Sequence, residues 1–506
     1  MDWQELKKNI PVTDSLPERT KELLRLAAVR DGRQYDGIQY GFSTEYVAGN
    51  YIPLSQRRPS VQTNLCRVVV EDAAALLFGE SHWPTIKAGN EGTSTGLTSI
   101  TSHAHIPSVM MEAAIKGSVG SVALLVEAVD NEIQISTLES AYLMPVWSAS
   151  GLLESVTQQY QITGVDVEAM GISSPPENRS ASYWYRREWT TTECRVYAPW
   201  LVSDTEHRPA VSADLTPAPH GLGFVPIVWV RNLAPPARVP DGECTFERAI
   251  STVIEGDYLL SQSGRGLKYC SDPKLVLKAG GGDPAGGEEA PASQGGAANA
   301  IVVPPDGDAK MLEINGNAAS SVLEQWRELR AIVLEQLHGN RAHSDKISSG
   351  QSGRAMEMMC QSLVWLADRL RLCYGEGALL SLYRMICDFS IALDSGIKVG
   401  GESVVLDASG LALEWPPYFP PTDGELLQLA QGLVTAVHAG ILSNETACSL
   451  FASKIGGADP ATEWARVQED LANANLQAAR KRDADLAKGD RSAAAAGRTQ
   501  THQVTA

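Results

Sequence analysis

SGRAMEMMCQSLVWLADRLRLCYGEGALLSLYRMICDF, residues 352–389, is the longest helix-forming stretch of the chain. Its apolar positions recur at alternating steps of three and four: Met356, Met359, Leu363, Leu366, Leu370, Cys373, Gly377 and Leu380. That spacing lays one seam along a helix. About 40 helical residues would reach roughly 60 Å at 1.5 Å per residue, beyond the usual domain helix. Such length predicts an element that spans a large assembly, with Gly375 and Gly377 as kink positions. Directly before it lies HSDKISSGQ (343–351), polar and glycine-bearing, and before that a clear helix at 317–337, NAASSVLEQWRELRAIVLEQL. A polar loop thus joins two of the strongest helices. The helix at 317–337 carries an apolar stripe (Val322, Leu323, Trp326, Leu329, Ile332, Val333) and a mildly acidic outer face (Glu324, Arg327, Glu328, Glu335).

Working outward, residues 15–30 and 62–78 read as helices, the second ended by Gly79, with a Tyr- and Gly-rich loop at 35–54 between them. A further helix is expected over 104–119. From about 120 to 235 the period changes to two, in runs such as SVALLVEA and EIQISTL separated by turn residues such as Asp130-Asn131. The region closes with HGLGFVPIVWVRN, 220–232. Helical periodicity returns at 245–267. PKLVLKAG, IVVPP and KMLEI are short strands around a low-complexity Gly/Ala segment at 280–300. After the long helix, two strands are expected within 403–415, then a helical hairpin turning at Gly440, a last helix, and disorder from 489 to 506. Residues 401–475 hold ten Asp and Glu against Lys454 and Arg466, a net of −8.

A length of 506 residues predicts about three domains of roughly 150 residues each. A net charge of −18 argues against a sequence-reading DNA binder, which carries a basic face. It is compatible with a surface past which DNA slides without being gripped. The eight cysteines are scattered without CxxC pairs, which points to reduced thiols in a cytosolic setting. The start has no apolar core of a signal peptide, no run of 18 apolar residues predicts a membrane span, and no G-x-x-x-x-G-K-[ST] loop is present. No cofactor is expected.

Two motifs raise other chemistry. GTSTG (92–96) matches G-x-S-x-G, which would make Ser94 a serine-hydrolase nucleophile if a strand–turn–helix surrounded it; no βαβ alternation does. The simpler expectation is a Gly/Thr/Ser loop. SHAHIP puts His103 and His105 two apart, which on a strand would let both face a metal. No acidic or cysteine ligand lies near in sequence, and a loop or helix start is the simpler expectation.

The order of the pieces resembles the portal proteins of tailed bacteriophages, those of long-tailed phages most closely. Five stretches carry the resemblance over about residues 60–475: NLCRVVVEDAAALLFGE; GLGFVPIVWVRN; ERAISTVIEGDYLLSQSGRGLKY with PKLVLKAGG; SSGQSGRAMEMM; and WPPYFPPTDGELLQLAQGLVTAVHAGILSNETA with DPATEWARVQED. Met356 stands where the family usually has Leu, the 280–300 insert is extra, and the first 60 residues carry little of the likeness.

The resemblance implies an α+β portal fold and a ring, usually of twelve subunits, at one capsid vertex. Its parts would be a wing (1–244), a first stem helix (245–267), a small α/β clip (268–316), a second stem helix (317–337), a tunnel loop (338–351), a long spine helix with the rest of the wing (352–420), an α-helical crown (421–488) and a tail (489–506). Implied partners are further copies of the chain, double-stranded DNA in the channel, the terminase large subunit, a head-completion or adaptor protein and the major capsid protein, with no membrane. The implied location is the virion, and the host cytoplasm during assembly. The tunnel loop would present Arg341, His343, Ser344, Asp345, Lys346, Ser348 and Ser349 to DNA. Arg341 and Lys346 against Asp345 leave one positive charge per subunit, too little to hold phosphate firmly. A serine hydrolase using Ser94, or a shorter head–tail adaptor, is the competing expectation.

Overall fold

The computed structural model describes residues 1–170, 179–234, 238–270, 276–278, 301–303, 316–339, 358, 360–419, 421, 423–455 and 460–500. The chain forms two compact units rather than three. One comprises Met1–Gly350 with Met356–Trp415, the other Gln351–Ala355 with Pro416–Ala506. Two units replace three because residues far apart in the chain share one core: Leu23, Val69, Met110, Val253, Leu366 and Tyr383 belong to a single buried cluster. Helices and antiparallel sheets are both present and largely segregated, so the class is α+β. No described helix is long and apolar enough to cross a membrane.

After a single helical turn at Trp3–Leu6, four longer helices build the first part of the large unit: α1 (Glu18–Arg30), α2 (Leu65–Phe78), α3 (Glu91–His103) and α4 (Ile106–Gly117). In α2, Val69, Val70, Ala73 and Leu77 are buried at helical spacing, and the Gly79 amide closes its end on Ala75 O at 2.8 Å. Between α1 and α2, the expected loop at 35–54 contains a small hairpin, Tyr46–Val47 against Asn50–Tyr51. Ala48 (φ 49°) and Gly49 (φ 82°) turn it, as a two-residue primed turn requires.

The sheets follow the period-two pattern. A three-stranded sheet runs in the order β7 (Ile227–Arg231), β1 (Ser121–Val129), β2 (Glu132–Glu139). A second sheet runs β6 (Cys194–Val196), β5 (Ser182–Thr190), β4 (Leu153–Thr163), β3 (Leu143–Trp147), all antiparallel. Asp130 and Asn131 both adopt left-handed φ (52° and 67°), the turn that their chemistry favours. Central strand β1 is buried on both faces. Val122, Leu124 and Val126 point into the main core, while Ala123 and Leu125 join a second core with Val156, Trp189 and Ile227.

Next come α5 (Ile250–Cys270) and α6 (Gly316–Gln336), packed on one another. Between them, β8 (Val276–Lys278) pairs in parallel with β9 (Ile301–Val303). The expected strand at 310–314 and the low-complexity segment lie outside the described residues.

The long seam is helical from Gln361 to Ala392, but not uniformly. It comprises α7 (Gln361–Leu370), a π-helical stretch Arg371–Leu379, and α8 (Leu380–Ala392). Leu363, Leu366, Leu370 and Leu380 are buried as the seam predicts. The glycines mark a π segment rather than a simple kink. A Cβ at Gly375 would stand 2.3 Å from Trp415 Cζ2, so the wide turn passes over that ring only where no side chain intervenes.

In the smaller unit, α9 (Asp423–His438) and α10 (Asn444–Ile455) form the expected hairpin, with Gly440 at φ 70° in its turn. The last helix, α11, runs Pro460–Gln500. It continues past 489, where disorder is expected from the sequence; Ala493–Ala496 supply the strongest helix former there.

Candidate assembly surface

The segment expected to face DNA, including Arg341, His343, Ser344, Asp345, Lys346, Ser348 and Ser349, lies outside the described residues. On either side of it in the chain stand the α5–α6 pair, anchored in the core, and the long helix that follows.

Helix α5 buries Ile250, Val253, Ile254, Tyr258 and, in the middle of that stripe, Asp257 and Ser261. The Asp257 carboxylate accepts from the Tyr35 hydroxyl (3.0 Å), the Thr63 amide (2.9 Å) and the Thr63 hydroxyl (2.8 Å). Ser261 Oγ accepts from the Val61 amide at 3.0 Å, and the Tyr258 hydroxyl donates to Arg57 O at 2.8 Å. These bonds strap residues 35–63 to one side of α5. An acid inside an apolar stripe is the sequence signal for such an anchor, visible as Ile254-x-x-Asp257-Tyr258 but not singled out from the sequence.

Burial pushes the Asp257 carboxyl above the ordinary carboxylate range, against the opposing hydrogen bonds from Thr63 and Tyr35. The folded state therefore holds this proton more tightly than the unfolded chain. The group's contribution to stability is fully present below the ordinary carboxylate range and is lost as pH rises through the raised folded value. Asp257→Asn can keep an acceptor toward Thr63 and turn its amide toward the Tyr35 oxygen. The expected outcome is a variant whose melting temperature declines less than wild type between about pH 4 and about pH 8. Parallel melting curves for the two proteins would show that Asp257 carries none of the pH dependence.

Helix α6 anchors at its C-terminal end. Val333, Leu334 and Leu337 are buried, His338 takes left-handed φ (55°), and the Gly339 amide donates to Leu334 O at 2.8 Å. Away from this end the apolar stripe is only partly covered. Val322, Trp326 and Leu329 are half-buried, and Leu323 and Ile332 are 44% and 42% exposed. Those last two are nine residues apart, so they lie about half a turn from each other, on opposite flanks of the packed face.

The third element is a clasp around Asn232, the last residue of GLGFVPIVWVRN. Its side chain is fully buried. Nδ2 donates to Glu243 O (2.6 Å) and Thr245 Oγ1 (2.9 Å), and Oδ1 accepts from the Tyr374 hydroxyl (3.2 Å). Its backbone is bonded as well, N to Gly120 O (2.9 Å) and O from the Glu243 amide (3.0 Å). Beside it, Asp241 accepts from Arg19 (2.6 and 2.8 Å) and Ser121 (2.5 Å). One asparagine thus joins the end of the β1–β7 sheet, the approach to α5, and the π segment of the long helix.

The motifs with other chemistry are placed elsewhere. GTSTG lies within α3, capped by Asn90, not in a loop. Ser94 is in the first turns of that helix, and its Oγ accepts from the Ala88 amide at 2.9 Å; it does not sit at a strand-to-helix elbow. His103 is the last residue of α3, with Nδ1 3.2 Å from Ser99 O, and His105 stands at the start of α4 in left-handed conformation (φ 49°). The helix expected over 104–119 is α4, two residues shorter at each end, and Ala104-His105 separates it from α3. Among the described residues no three His, Cys, Asp or Glu side chains are grouped to hold a metal.

No protein-family model matches the chain, and no curated protein matches it.

Proposed function

We propose that this chain is a portal-type subunit, a non-enzymatic ring protein through which double-stranded DNA enters and leaves a capsid. The observation that carries the proposal is the α5–α6 pair. Its second helix leaves apolar side chains on two opposite flanks, Leu323 and Ile332, where a lone chain meets water. A helix packed on a single partner normally turns its apolar residues to one face. Apolar side chains left uncovered on a helix that already has one partner suit further packing against another copy, as in a closed head-to-tail ring. The smaller unit adds to this: among its described residues Leu427, Val434, Leu471 and Leu476 are each more than half exposed, an apolar surface that an assembly would cover. The chain order of paired helix, small strand pair, paired helix, polar segment and long helix also agrees with the stem, clip, tunnel loop and spine that the sequence resemblance implies. The acidic balance of −18 would let a duplex slide without being held. In this role the terminase, a head-completion protein and the major capsid protein are the proposed partners.

Electron microscopy and mass measurement of the purified chain test this. Twelve copies of 54.3 kDa give about 650 kDa and end-on views with a central pore. A monomer with no pore under all assembly conditions is the contrary result. Deleting 341–349 is expected to leave the rings intact and to impair retention of packaged DNA; subunits that no longer assemble would give that segment a structural role instead.

A further inference from the structure

We infer that the α6 helix of one copy docks, through its outward acidic stripe, on an arginine-lined pocket beside α5 of the next copy. This presupposes the ring proposed above and names the surfaces that close it.

The pocket has a volume of about 380 Å³ and is lined by Phe42, Tyr51, Leu54, Arg57, Gln262 and Arg265, together with Gly266. Two lining residues are arginines and none is acidic. Arg57 is 3% exposed, and its Nε is buried without a hydrogen-bond partner. Its other nitrogens reach Phe42 O (3.4 Å) and the Tyr51 hydroxyl (3.1 Å), and its guanidinium lies 5.5 Å from the Tyr51 ring centre. Glu45 pairs with Arg57 at 3.7 Å and also with Arg265. Glu45 is thus shared by both lining arginines, and exposed Arg58 is the next residue in the chain, outside the lining. In a chain of net −18, two lining arginines that share one carboxylate make a locally positive site, to which an acidic surface is complementary.

The complementary surface is on α6. Glu324, Glu328 and Glu335 are all exposed and, at steps of four and seven, share one stripe. That stripe lies roughly 200° around the helix from Val322, Trp326 and Val333, the side that packs inward. Stripe and pocket cannot meet within one subunit. Trp326 packs at Gly256, where a Cβ would stand 3.6 Å from its Cδ1, whereas residues 35–63, the arm that supplies Phe42, Tyr51, Leu54 and Arg57 to the pocket, are bonded at Tyr258. Residues 256 and 258 point about 200° apart on a helix. The order across one subunit is therefore arm, α5, α6. Repeated side by side, it brings the outer face of each α6 to the arm of the following copy. The two surfaces differ, as a head-to-tail ring demands and a two-fold dimer does not.

Reversal of charge on the full chain tests the pairing, with ring mass read by sedimentation. Glu324→Lys with Glu328→Lys is expected to move most of the mass from ring to free subunit. Arg58→Glu with Arg265→Glu should do the same, and the fourfold variant should regain the ring. Because Arg265 also holds Glu45, the swap is repeated with Arg58→Glu alone, whose side chain is exposed; a partial rescue is expected there. Rings indifferent to the glutamate reversals, or no rescue in either swap, overturn the pairing while leaving the ring in place. An unaltered chain that never forms rings overturns both.

Discussion

Asn232→Ala is expected to destabilise the large unit by about 3–5 kcal/mol, measured as a fall in the denaturant midpoint at unchanged slope. The residue is fully buried. Truncation removes the donor to Glu243 O and Thr245 Oγ1 and the acceptor for the Tyr374 hydroxyl. Each orphaned buried group costs about 1–3 kcal/mol when no water can replace its partner. The two backbone bonds of residue 232 survive, which keeps the cost below that of losing the whole strand end. Asn232→Asp should be no milder, because a carboxylate would face two oxygens, Glu243 O and Thr245 Oγ1, in place of an amide donor. A loss under about 1 kcal/mol for Asn232→Ala would mean that the clasp is incidental to the fold.

The large effect expected at Asn232 illustrates what the sequence does and does not disclose. GLGFVPIVWVRN is legible as a strand because Ile227, Val228, Trp229 and Val230 form a short continuous run of β-branched and aromatic residues, and Asp130-Asn131 is legible as a turn because few residues accept left-handed φ. The buried seam Leu363, Leu366, Leu370 and Leu380 follows from spacing alone. The hydrogen bonds of Asn232 do not, since their partners lie at 243, 245 and 374 and only the fold brings them together. Helix α3 was hidden by EGTSTGLTSITSH, whose Gly, Ser and Thr are poor helix formers. Burial of Leu97 and Ile100 and the Asn90 cap override that composition. The π stretch was signalled by Gly375 and Gly377, but its reason, the Trp415 ring, lies 40 residues downstream. The arginine pocket unites positions 57 and 265, and no local pattern joins them.

Gly117→Ala should cost about 2–4 kcal/mol, and Tyr374→Phe should relieve part of it. Gly117 closes α4, and a Cβ there would stand 2.1 Å from the Tyr374 oxygen, 3.0 Å from Val122 Cγ1 and 3.1 Å from Tyr374 Cζ. Tyr374 is itself fully buried, so its ring cannot retreat without moving the π segment and breaking the bond to Asn232. The gain of about 1 kcal/mol in helix propensity from glycine to alanine is smaller at a helix end and does not offset this. Tyr374→Phe alone should cost about 1–2 kcal/mol, by leaving Asn232 Oδ1 without its donor. In the double variant the oxygen is gone, and only the Val122 and Cζ contacts remain tight. The two changes should therefore sum to less than their separate costs, with a coupling of about 1–2 kcal/mol. Strict additivity would place Gly117 and Tyr374 in separate structural units. Coupling of the expected sign would make the α4 end, the sheet end and the long helix one mechanical joint, so that any displacement of the long helix must be felt at Asn232 and passed to the approach of α5.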